Sequence, residues 1–196
     1  MKDELKPFII HIQKNILLSK KEILLLTTKI KVRNYLKGQY ILQQGDPCKY
    51  LNFVISGTTK TYHIDNNGNE HIFRFAIENW WATDLPSFIN NNTSNTNIQC
   101  LKDTKVVQIS LENLDTLFKE ISGLEHFFRV LFQKVSITLE KRIINSLSYS
   151  AKEKYLLFRE EYPEFEQRIP QYMIASYLGI SKQYLSEIRN QLIFDK

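Results

Sequence analysis

The chain has 196 residues, 43% of them apolar and 24% charged, a composition that excludes a disordered, fibrous or membrane-embedded protein. Its length accommodates a domain of average size and a smaller one. The net charge of +5 permits an acidic partner such as nucleic acid without requiring one.

The early apolar run Phe8-Ile9-Ile10 is broken by His11 and is far too short for a secretory or spanning segment. A cytoplasmic protein with no membrane partner is expected. Leu17, Leu18, Ile23, Leu24 and Leu26 follow at loosely helical spacing, with Ser19 placed to cap a helix that runs to about Thr28. From Val32 the pattern changes to short apolar segments separated by turn residues: Tyr40-Ile41-Leu42, Gly45-Asp46-Pro47, Leu51 to Ile55, then Ser56-Gly57. Asn66-Asn67-Gly68 stands between Thr61–Ile64 and His71–Phe75. Asn-Gly there signals a hairpin, because both residues tolerate positive φ. Two more strands are expected at Ile98–Leu101 and Val106–Ile109, which together make a sandwich or jelly roll. Residues 90–97 are only Asn, Thr and Ser, and read as a solvated loop.

After Ser110 the period becomes helical. Leu111, Leu114, Leu117 and Phe118 form one short helix. A longer one carries Leu124, Phe128, Leu131, Val135 and Leu139 along a stripe that Phe127, Phe132, Ile143, Ile144 and Leu147 widen. From Gly123 to Leu147 it would be roughly 35 Å long, with more apolar surface than one small β-domain covers. A second copy of the chain is the expected cover, with Leu124, Phe128, Leu131, Val135 and Leu139 as its interface. Ser150-Ala-Lys-Glu153 matches a capping box that starts another helix, and Pro163 stops it.

The segment Ile174-Ala-Ser-Tyr-Leu-Gly-Ile-Ser181, followed by Leu185 and Ile188, has the pattern of a helix-turn-helix. Ala175 is small enough for a close helix crossing, and Gly179 suits a turn at positive φ. Ile174, Leu178, Ile180, Leu185 and Ile188 would share a core, with Ser181 capping the second helix. Helical geometry then turns Lys182, Gln183, Ser186, Glu187 and Asn190 outward. Gln183 suits adenine, Glu187 a cytosine amino group, and Lys182 guanine or a phosphate. Gln171, Tyr184 and Arg189 lie at the flanks, with Arg168 beyond, where phosphate contacts that fix register are expected. The bland reading of the same residues is a three-helix bundle without a nucleic-acid partner.

Taken together, Ile41-Leu-Gln-Gln-Gly-Asp46, Phe53-Val-Ile-Ser-Gly57, the Asn-Gly hairpin, the long apolar helix and the C-terminal motif resemble the Crp/Fnr family over nearly the whole chain. The resemblance implies an α+β architecture. An N-terminal β jelly roll of the cyclic-nucleotide-binding type (residues 1–110) leads to linking and dimerisation helices (111–147). A helix-turn-helix domain follows (148–196), and no full wing is expected between the recognition helix and Lys196. It also implies a phosphate cassette, which in cAMP-binding relatives uses a Gly-Glu pair and, about ten residues on, an Arg-Ser or Arg-Ala pair. Thr83-Asp84 and Ser94-Asn95 stand at those places, and no Lys or Arg occurs between Arg74 and Lys102. A buried phosphate without a paired cation is costly, so tight cAMP binding is not expected. The effector, if there is one, is unknown, with Thr83, Asp84, Ser94 and Asn95 as candidate pocket residues.

Cys48 and Cys100 are too few for an iron-sulfur centre and lack metal-site spacing; both read as reduced core residues. His63 and His71 read as strand or turn residues and Trp80-Trp81 as core, so no metal and no cofactor are expected. No nucleophile and base pair or Gly-rich phosphate loop points to an enzyme. The expected partners are duplex DNA and a second copy of the chain, with RNA polymerase a further candidate. The competing reading is a ligand-binding or protein-interaction module with a vestigial helix-turn-helix.

Overall fold

The computed structural model describes residues 3–194, which fall into two compact units. The first comprises residues up to 63 and 74–132, and the second residues 64–73 and those from 133 onward.

In the first unit, α1 (Lys6–Gln13) and α2 (Lys20–Thr28) precede the strands. Ser19 caps α2 by accepting the Glu22 N–H at 3.3 Å, while the Glu22 carboxylate accepts the Ser19 N–H at 2.8 Å. The roll is built from β1 (Lys31–Tyr35), β2 (Tyr40–Leu42), β3 (Tyr50–Ser56), β4 (Thr59–Ile64), β5 (Glu70–Ala76), β6 (Asn97–Cys100) and β7 (Thr104–Ser110). They form two antiparallel sheets in the orders β1-β7-β3 and β2-β6-β4-β5. Alternation along β3 and β7 sends Leu51, Phe53, Val107 and Ile109 to one face and Asn52, Val54, Val106 and Gln108 to the other. Gly57 joins β3 to β4 at φ +110°, where a Cβ would stand 2.7 Å from the Thr104 Cα. No other residue fits that turn.

The β4–β5 hairpin lies where the Asn-Gly signal placed it, but its turn differs from the one expected. Gly68 alone of the turn residues has positive φ, and the Asp65 carboxylate closes the loop by accepting the Asn67 and Asn69 N–H groups, each at 2.9 Å. The polar stretch 90–97 is also not simply a solvated loop. It follows a short helix, α3 (Leu85–Asn90), and contains Ser94 and Asn97, which are 1% and 5% exposed. Polar residues are buried there because their groups find one another, as described below.

α4 (Leu111–Glu120) and the start of α5 (Leu124–Ser148) complete the first unit. Phe8, Ile12, Phe53, Leu117, Leu124, Phe127 and Phe128 belong to one continuous core. Trp81 joins it through ring contacts with Phe8, Phe53 and Phe128, whereas Trp80 is exposed. The interface read from the sequence therefore needs correction: Leu124 and Phe128 are 1% and 2% exposed within their own chain, and Leu131 packs against the same core. No partner can cover what is already buried. Val135 and Leu139 remain exposed, followed by Ile143, Ile144 and Leu147.

In the second unit, α6 (Ala151–Glu161) begins at the capping box of Ser150 and Glu153 and stops before Pro163. A short α7 (Phe165–Arg168) precedes α8 (Gln171–Leu178) and α9 (Lys182–Phe194). Phe158 makes ring contacts with Tyr162, Phe165 and Tyr177, and Arg142 of α5 lies over the Tyr177 ring at 3.9 Å. The Tyr155 hydroxyl donates to Glu166, whose other oxygen accepts from Arg159 Nε at 3.0 Å. Burial and that carboxylate push the Tyr155 phenol up to about 12.

Candidate nucleic-acid interface and sensor loop

α8 and α9 are joined by a turn whose geometry follows from two residues. Gly179 takes φ +70°, and its N–H bonds back to the Ser176 carbonyl at 3.1 Å. Ser181 accepts the Tyr184 N–H at 3.1 Å and so starts α9. Between the helices, Ile174, Ala175, Leu185 and Ile188 are each at most 2% exposed. With that face buried, Lys182, Gln183, Ser186, Glu187 and Asn190 emerge together as an exposed row on α9. Gln171 and Tyr184 are also exposed, and Arg189 is half-buried near the Tyr155 hydroxyl. Among the described residues from α6 onward there is no strand. Lys196, up to which no wing was expected, lies outside them.

Two of the four pocket candidates, Asp84 and Ser94, bond to each other in the first unit, and Thr83 beside them is tied to β3. Asp84 caps α3 by accepting the Ser87 N–H at 3.3 Å, and its other oxygen accepts the Ser94 hydroxyl at 2.5 Å. Thr83 is 5% exposed and accepts the Asn52 N–H through Oγ1 at 3.0 Å. Asn95 does not join them. Its side chain belongs to an exposed residue, while its carbonyl oxygen lies 2.7 Å from His63 Nδ1. The place of an acid and an arginine is thus held by an acid and a hydroxyl that satisfy each other.

The sequence reading overlooked Arg74. From β5 its Nη1 donates to the Thr83 carbonyl at 3.0 Å, which brings a guanidinium to this loop although no cation lies between residues 74 and 102. The signal was available in Phe73-Arg74-Phe75, where strand alternation sets the arginine apart from its apolar neighbours. The interior also holds the Thr59 and Thr61 hydroxyls and Asn97 Nδ2, buried without a partner among the described residues. Cys48 and Cys100 are buried free thiols, and burial pushes both toward the protonated, unreactive form. No helix among the described residues is long and apolar enough to cross a membrane.

Comparison with known proteins agrees with this geometry. Residues 32–121 match the family model of the cyclic nucleotide-binding domain. The chain is 25% identical over 167 residues to the transcriptional activator protein anr of Pseudomonas aeruginosa, covering 78% of this chain and 66% of that protein. It is 26% identical over 165 residues to electron transport regulator A of Shewanella oneidensis, covering 78% and 64%. The chain thus spans slightly less than two thirds of the length of either relative. Among solved structures, FixK2 from Bradyrhizobium japonicum superposes with a TM-score of 0.69 at 17% identity, over 85% of each chain, a likeness of fold.

Proposed function

We propose that the chain is a transcription regulator of the Crp/Fnr type, as its match to the cyclic nucleotide-binding domain and its likeness to the two regulators support, and that it acts in the cytoplasm as a homodimeric, sequence-specific regulator that binds duplex DNA through α9 and does so without cAMP. The observation that carries this reading is the row Lys182, Gln183, Ser186, Glu187 and Asn190, exposed on a capped helix whose opposite face is locked into a core by Leu185 and Ile188. Such a helix enters the major groove with its N-terminal residues at base edges. Gln183 pairs with adenine and Glu187 accepts from cytosine, while Gln171, Tyr184 and Arg189 hold phosphates. The exposed Val135, Leu139, Ile143 and Leu147 form the interface with a second copy. A twofold dimer then reads half-sites about 34 Å apart. With Asp84 committed to Ser94 and to the start of α3, and Arg74 donating to the Thr83 carbonyl, a cyclic phosphate at this loop would meet a carboxylate.

Selection of random duplex DNA at near-physiological salt, without ligand and then with cAMP, tests the reading. Enrichment of a palindrome without ligand is expected, with Gln183→Ala costing roughly 1–3 kcal/mol and relaxing one base pair of each half-site. Enrichment only with cAMP would overturn the reading of the sensor loop. A DNA affinity that does not fall with added salt would move the protein to the interaction-module class, since counterion release marks phosphate contacts.

A further inference from the structure

A cleft of about 350 Å³ opens into the first unit between β1, β2, the 43–49 loop, β3 and β7, and shares no lining residue with the loop of Thr83, Asp84, Ser94 and Asn95. Its lining is graded. Arg33, Asp46 and Lys49 are exposed, Tyr35 and Tyr50 half-buried, and Asn52 and Gln108, at 2% and 5% exposure, form the floor.

Hydrogen bonding fixes the orientation of that floor. The Tyr50 carbonyl has no proton to give, so it accepts from Asn52 Nδ2 at 2.9 Å. Asn52 Oδ1 is then the atom that accepts from Gln108 Nε2 at 2.8 Å, and the second Nε2 proton goes to the Tyr35 hydroxyl oxygen at 3.2 Å. Two groups are left over. Gln108 Oε1 can accept and the Tyr35 hydroxyl proton can be donated, and neither has a partner among the described residues. An unspent acceptor beside an unspent donor, at the bottom of a cleft, is a recognition edge rather than a structural bond.

We propose that this cleft binds a small, neutral, planar molecule with an amide or lactam edge, its N–H donated to Gln108 Oε1 and its carbonyl accepting from Tyr35. Charge is disfavoured at the floor, where the surrounding groups are neutral and buried, while the ionic side chains stay at the exposed rim. Tyr40 and Tyr50 supply aromatic surface for a flat ring. The site does not depend on the DNA-binding reading and stands whether or not that reading holds.

The test uses the full chain, ¹⁵N-labelled, titrated with 2-pyridone and separately with N-methyl-2-pyridone, which lacks the N–H. The expected result is movement of the Gln108 and Asn52 side-chain amide resonances by 2-pyridone. Binding should be about tenfold weaker for the methylated probe and for Tyr35→Phe, the worth of one hydrogen bond, and unchanged in Ser94→Ala. Unmoved resonances up to the solubility limit, equal binding of the two probes, or shifts centred on residues 83–95 would each overturn the proposal. Should Tyr35→Phe fail to fold, the two probes on the unmutated chain still decide it.

Discussion

The two ends of α5 carry the same apolar repeat and meet different surroundings. Near the start, Phe128 lies 5.4 Å from the Trp81 ring and 5.5 Å from Phe118, and Leu124, Phe127 and Phe128 are at most 3% exposed. Toward the end, Leu139, Ile143 and Leu147 are 42%, 61% and 82% exposed. The hydrophobic period states that a face will be covered, but not which surface covers it. In this helix one stretch is finished by its own chain, and the rest stays exposed, the face that the proposed dimer would cover.

Three substitutions sharpen the contrast, two within α5 and one in α1 where it packs against the start of α5. Phe128→Ala should have the largest effect, a loss of about 3–5 kcal/mol in folding stability as the aromatic core around Trp81 loses its ring. Urea unfolding should show the same loss at low and high protein concentration; a concentration-dependent loss would mean that this part of the helix also faces a partner. Leu139→Glu should leave unfolding of the first unit in place and weaken self-association by about 2–3 kcal/mol, since it puts a charge in an apolar contact. Sedimentation would register this as dissociation at low micromolar concentration, and an unchanged association state would remove Leu139 from the interface. The smallest effect concerns pH. His11 packs edge-on against Phe127 at 5.8 Å with Nε2 buried and unpartnered among the described residues. Burial, and secondly Lys14, lower its pKa below 6.5. A folded pKa below the unfolded one favours the neutral ring, so its contribution is complete above about pH 6.5 and is lost as the pH falls toward the lower folded value. Midpoints in urea should therefore drop between pH 7.5 and 5.5, and by less in His11→Phe; equal slopes would exclude His11 as the source.

What could be read from the sequence was whatever local chemistry decides. Ser150 and Glu153 start a helix through contacts three residues apart, and Gly179 and Ser181 do the same for the turn before α9. Strand positions were legible from alternation, and the outward row on α9 from helical geometry. The start of α3 was also written locally, in Asp84 followed by Pro86, but the Asn-rich residues after it obscured the signal. Other features depend on partners distant in sequence. Ser94 is buried because Asp84 lies opposite it, and Leu124 because the roll and α1 are already there. Asn52 and Gln108 are polar residues inside the apolar stretches Leu51-Asn52-Phe53 and Val107-Gln108-Ile109, a signal the sequence reading did not use. That they would meet each other, and leave an acceptor unused, needed the β3–β7 register that pairs them.

The strand order has a consequence for how the chain is made. β7 lies between β1 and β3, so the register from Lys31 to Gln108 cannot form until the last strand of the roll is available. During synthesis β1 emerges first and must wait, unpaired, through every later strand. The helices after residue 148 pack mostly on neighbours close in sequence, and their distant partners, Glu70 and Ile72, which bond to Ser176, are already made when they appear. A nascent chain halted before Thr104 would hold β1 with no ladder partner and β3 bonded only to residues 79–82, two open edges until β7 arrives.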